Sequence, residues 1–131
     1  MILSDRIFCG PNDLVILEGS FAVGATGAVS AVKGNGVSGV VRNSAGNYTI
    51  TLLDAYNKFF GFAHTFFGTT GSGISSVQVA SETVASTKTI VVQTYVIKTS
   101  DDTLEAGDPA DGCTLRFVIT LRRSSLKGKG E

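Results

Sequence analysis

Apolar residues recur at every second position along most of this chain and almost nowhere at the spacing of a helix face. In "NYTITL", Tyr48, Ile50 and Leu52 alternate with Asn47, Thr49 and Thr51, which predicts a strand with one buried face. The preceding "GVSGVVR" predicts its hairpin partner, and "NSAG" between them fits a type I turn closed by Gly46 in the left-handed region. The longest candidate, "TKTIVVQTYVIKT", is apolar on both faces, with Ile90, Val92 and Val96 against Val91, Tyr95 and Ile97. It is expected to be central in a sheet or buried in an interface. The stretch "CTLRFVITLRR" sends Cys113, Leu115, Phe117, Ile119 and Leu121 inward and Thr114, Arg116, Thr120 and Arg122 outward. Further strands are expected at "DLVILEGSFAV", "GAVSAVKG" and "GISSVQVA".

The segment "FFGFAHTFF" alternates as well and carries Phe59, Phe60, Phe62, Phe66 and Phe67. Simple alternation sets Phe60, Phe62, His64 and Phe66 on one side and Phe59, Gly61, Ala63, Thr65 and Phe67 on the other. Before it, Asp54 is placed to cap a single helical turn at "AYNKF". After it, "GTTGSG" ends the strand. Seven or eight turn-bounded strands with at most one short helical turn predict an all-β, single-domain β-sandwich or small Greek-key barrel. Its expected organisation is an N-terminal arm or first strand over residues 1–20, the sandwich over 21–123 and a flexible basic tail over 124–131.

With 131 residues the chain fits one domain with a core of its own. Eleven basic and eleven acidic residues cancel, so no overall field draws it to nucleic acid or an anionic membrane, and neither is expected as a partner. Charged residues are 17% of the chain, against about 25% in an average soluble domain, which points to a surface made of Thr, Ser and Gly or covered by something else. Cys9 and Cys113 are too few and too far apart for a disulfide framework and are expected as free thiols. The start "MILSDRIFCGPND" has no basic region followed by an apolar one, and no later segment approaches the roughly 18 apolar residues of a membrane span.

Candidate chemistry is sparse. The lone histidine, His64, sits mid-strand among phenylalanines, and no G-x-S-x-G elbow presents a serine to it. Zinc would have to draw on Cys9, His64 and Cys113 from distant segments. The acidic loop "DDTLEAGDPADG" lacks the ligand order of an EF-hand, and "GNG" and "GTTGSG" lack the Lys-Ser/Thr of a P-loop. No enzymatic activity, metal or cofactor is expected.

Assembly is what the pattern favours. A strand with phenylalanine on both faces cannot put every ring into one thin core, so Phe59, Phe60, Phe62, Phe66 and Phe67 are expected at an oligomer interface. Ile2, Leu3, Ile7, Phe8 and Leu14, in or beside an N-terminal arm able to add a strand to a neighbour's sheet, are the expected contacts to a larger partner.

The stretches "VKGNGVSGVVRNSAGNYTITLLDAY" and "GDPADGCTLRFVITLRRSS" resemble a set of small tailed-phage virion proteins. In those, a G-x-G-V-x-x-V-x-R-x-x-x-G-x-Y-T-V-T-L-x-D-A-Y hairpin precedes a long strand, an "aDPad" loop and a closing strand ending in "lRNSS". The resemblance covers the larger part of the chain and departs from the pattern at "LRRSS", where Arg123 replaces the Asn. It implies a head decoration, or cement, protein: a β-rich homotrimer made in the host cytoplasm that binds the major capsid protein lattice on the virion surface. The other reading to be weighed is a receptor- or glycan-binding module of a phage tail fibre or spike.

Overall fold

The computed structural model describes residues 6–9, 12–68, 74–98 and 100–123. Ten strands follow in order: β1 (Arg6–Cys9), β2 (Asn12–Val23), β3 (Val29–Gly34), β4 (Val37–Ser44), β5 (Asn47–Leu52), β6 (Lys58–Phe67), β7 (Ile74–Thr83), β8 (Thr89–Ile97), β9 (Leu104–Ala106) and β10 (Thr114–Arg122). All eight segments read as strands from the alternation are strands. The two additions, β1 and β9, are too short for a period of two to announce them.

The strands form two antiparallel five-stranded sheets packed face to face, a β-sandwich. The first runs β1-β2-β10-β6, with β3 also on β2; the second runs β4-β5-β8-β7, with β9 also on β8. The long strand β8 is central, one of the two placements expected of a strand apolar on both faces. The inward residues Leu17, Phe21, Leu115, Phe117, Ile119 and Leu121 of the first sheet meet Tyr48, Ile50, Leu52, Ile90 and Val92 of the second in one core. Phe21 and Tyr48 touch across the two sheets, with ring centroids 5.2 Å apart.

Two expectations are corrected. No helical turn forms at 55–59: Tyr56 is buried, its amide donates to the Val84 carbonyl at 3.0 Å, and the Asn57 amide donates to the Arg122 carbonyl at 3.0 Å. Pairing across the fold takes the donors that a capped turn would have used. The only helical residues described are the short 3-10 turn Ala25–Gly27. The second correction concerns β6. Thr120 stands opposite Gly61 while Leu121 stands opposite Phe59, so Phe60 is an extra residue, a β-bulge. The bulge reverses the parity of the strand: Phe59, not Phe60, joins Phe62, His64 and Phe66 opposite the inward residues of β10.

One glycine is required by close approach. Gly19 lies on the inner face of β2, and a Cβ there would stand 2.5 Å from Cζ of Phe117. That ring cannot swing away, because Phe62 stacks on it at 5.6 Å and Phe21 lies 6.5 Å off on another side. Gly19→Ala is therefore expected to destabilise the fold by about 1–3 kcal/mol through overpacking. In urea unfolding, most of that loss should disappear when Phe117→Leu is made in the same chain; a strictly additive pair would contradict the steric account.

Candidate interaction surface

Among the described residues, strand β6 lies at an edge of the first sheet and pairs only with β10. An edge ten residues long presents unpaired backbone groups to any strand laid beside it. Its rings are unevenly covered. Phe59, Phe62 and Phe66 lean on the core but are only partly buried, while Phe60 and Phe67 are 48% and 50% exposed.

Both exposed rings meet arginines of the neighbouring strand. The Arg116 guanidinium lies 4.9 Å from the Phe67 ring centroid, and that of Arg122 lies 5.9 Å from Phe60, which Lys58 also approaches at 5.9 Å. Arg116 is exposed beside its ring, whereas Arg122 is buried. Between these two clusters the outer face of the first sheet is built from small or β-branched residues, among them Ser20, Ala63, Thr65, Val118 and Thr120. Part of this face is an open trough of about 710 Å³, bounded by Lys33 and Asn35 on the β3 side and by Thr65 and Phe67 on the β6 side.

At one end of the sandwich lies the most connected polar cluster. The Asp108 carboxylate accepts from Arg42 twice, Nε to Oδ1 at 3.0 Å and Nη2 to Oδ2 at 2.8 Å, and from the Gly46 amide at 2.7 Å. The Tyr48 hydroxyl donates its proton to the Gly27 carbonyl at 3.1 Å and lies 3.4 Å from Oδ1 of Asp108. Thr94 completes the knot, its amide donating to the Gly46 carbonyl at 2.8 Å and its hydroxyl to that of Gly107 at 2.5 Å. Gly46 has φ +70°, the left-handed turn conformation expected of it.

The environment sets the protonation of this cluster. The hydrogen bonds from Arg42 hold the Asp108 carboxyl below its ordinary value; partial burial opposes them, and the Gly46 amide adds to them. Burial, reinforced by the Asp108 charge, pushes the Tyr48 hydroxyl up to about 12. Arg42, Gly46, Tyr48 and Asp108 are members of the two motifs singled out in the sequence, and the fold brings them to one point across as many as 66 residues. Their chemistry is that of a clamp.

Of the expected capsid contacts, Ile2 and Leu3 lie outside the described residues. Ile7 and Phe8 belong to β1, paired with Leu14 and Asp13 of β2, and Leu14 is half-buried opposite Arg122 of β10. The tail 124–131 lies outside the described residues too. His64 packs against Phe62 and Phe66, at 6.4 and 5.7 Å between ring centroids, and among the described residues it is hydrogen-bonded to no serine, cysteine or carboxylate. Cys113 is a buried free thiol. In the acidic loop, Asp101 accepts from the Thr103 amide and hydroxyl, and no group of three or more His, Cys, Asp or Glu gathers among the described residues. The arginine-ring pairs and the trough escaped the sequence reading, since they exist only once β2, β3, β6 and β10 are in register. No family model, curated protein or solved structure matches the chain.

The clamp has a pH signature. A carboxyl whose folded value is depressed stabilises the fold fully above its unfolded value, here near 3.8, and loses that contribution as pH falls through the folded value. Asp108→Asn is expected to lose about 2 kcal/mol near neutrality, a figure reduced for the partial exposure of both partners. In thermal melts from pH 7 downward, the variant and the parent should converge below the aspartate range; parallel curves would contradict the clamp. At the alkaline end, the parent should weaken as pH rises from about 10 towards 12, and Tyr48→Phe should remove that part of the loss.

Proposed function

We propose that this protein is a non-enzymatic structural module of a tailed-phage virion: a head decoration protein that assembles as a homotrimer on the major capsid protein lattice and stabilises the shell. The observation that carries the reading is the β6 edge, ten residues long, unpaired on one side among the described residues and bearing Phe60 and Phe67 half in solvent. Monomeric proteins blunt such edges with charge, proline or a covering loop. Here the strand carries one lysine, at its start, no proline, and a single bulge at Phe60 that leaves Gly61 to Phe67 in regular register.

Attachment then works by repetition. Three copies around a threefold axis present three equivalent surfaces to a lattice of matching symmetry, and each added contact acts at high effective concentration, so modest contacts sum to firm binding. The clamp at Asp108 and the continuous core supply the stiffness that this requires, because a flexible module would spend binding energy on ordering itself. The motif residues shared with the phage proteins support the reading from the other side, as they converge on that clamp.

Sedimentation equilibrium of the purified chain is expected to give a trimer. The pair Phe60→Ser and Phe67→Ser should leave monomer stability within roughly 1 kcal/mol, because both rings are already half exposed, yet reduce association at least about tenfold. Capsid shells of the cognate phage should bind the parent at saturating, symmetric copy number. A chain that stays monomeric and ignores shells while binding saccharides would overturn the proposal in favour of a tail-fibre or spike module.

A further inference from the structure

We propose that the trough on the outer face of the first sheet is a receptor for a peptide carboxylate: an Asp or Glu side chain in an extended segment of a partner protein, seated between Lys33 and Arg116. The inference deepens the assembly reading by naming the chemistry of the partner at this face, and it rests on that reading.

The register places the two cations. Lys33 of β3 stands opposite Ser20 of β2, Ser20 opposite Arg116 of β10, and Arg116 opposite Thr65 of β6. Lys33 and Arg116 thus flank Ser20 in one row, two strand spacings apart, or about 10 Å at the backbone. Both line the trough, and among the described residues neither forms an ion pair or a hydrogen bond through its side chain. Arg116 is held by its stacking on Phe67 at 4.9 Å, which fixes a planar fork beside an apolar ring before any ligand arrives. A carboxylate matches that fork with two parallel hydrogen bonds, and the stem of an acidic residue, or its apolar neighbour, meets Phe67 and the 40% exposed Val118.

The single acidic group of the trough narrows the ligand. Glu18 stands opposite Val118, one outward row along from the cations. Along an extended ligand the next outward position lies about 7 Å away, so a polyanion would set its second charge near Glu18. One carboxylate is accommodated; a run of phosphates is repelled. The zero net charge of the chain removes the long-range attraction that nucleic acid would need.

The test uses the full-length, isotope-labelled chain and two blocked pentapeptides, acetyl-Thr-Val-Glu-Val-Thr-amide and its Gln counterpart, followed by amide chemical shifts. The Glu peptide is expected to move the signals of Ser20, Thr65, Arg116 and Val118, and to bind about tenfold more tightly than the Gln peptide, a margin that salt erodes. Lys33→Gln and Arg116→Gln should each bring the two peptides close to equality, with Lys33→Gln, at an exposed position, guarding against a folding effect. Glu18→Gln should tighten binding of the Glu peptide. Equal binding of the two peptides, no response up to roughly 10 mM, or displacement of the Glu peptide by an eight-residue oligothymidylate would overturn the inference. Sedimentation of the same samples separates the failures. A shell-binding trimer indifferent to the Glu peptide ends this inference alone, whereas a monomer that ignores shells but binds the peptide at these residues ends the decoration reading.

Discussion

The carboxylate of Asp108 is the point on which the order of this sandwich turns. Backbone pairing stitches each sheet together but leaves the ends of the sandwich to loops, and loops carry polar groups that must find partners once partly buried. Asp108 accepts from Arg42 and from the Gly46 amide, and it lies beside the Tyr48 hydroxyl, so one residue of the loop before β10 organises the β4–β5 turn. Tyr48 carries the connection inward, since its ring packs on Phe21 of the opposite sheet while its hydroxyl reaches the carbonyl of Gly27. The polar knot and the apolar core are thereby one object, joined through a single tyrosine.

That rigidity is what gives the β6 edge its meaning. An exposed phenylalanine on a mobile loop is an accident of surface composition, but Phe60 and Phe67 stand on a strand locked to β10, and arginines of β10 lie against both rings. The Arg116–Phe67 pair is amphipathic: the aromatic body accepts an apolar contact while the exposed guanidinium remains available to an acid, whereas Arg122 is buried beside Phe60. The first sheet therefore offers a partner fixed positions of both kinds, set by register and not by chance rotamers.

Much of the fold was legible because the period of two is a local property. Eight segments announced themselves as strands, the burial of Tyr48, Ile50 and Leu52 followed from alternation, and Gly46 declared its turn. What stayed hidden depended on partners distant in sequence. The bulge at Phe60 exists only relative to β10, so alternation within β6 assigned Phe59 and Phe60 to the wrong faces. The helical turn after Asp54 failed because Val84 and Arg122 supply acceptors across the fold that no local window contains. Of the candidate interaction surface, the excess of rings over a single core was readable in "FFGFAHTFF". The pairing of Arg116 with Phe67 and the alignment of Lys33 with Arg116 needed the register of four strands.

The bulge at Phe60 also bears on how such a protein changes over generations. Gly61 and Phe59 already face consecutive residues of β10, so a three-nucleotide deletion removing Phe60 would close the ladder and leave every other side chain on its present face. One of the two exposed rings is in this sense an inserted letter, free to be gained or lost without rewriting the word around it. A lineage could adjust its stickiness towards neighbours by indel while its core sequence stayed still.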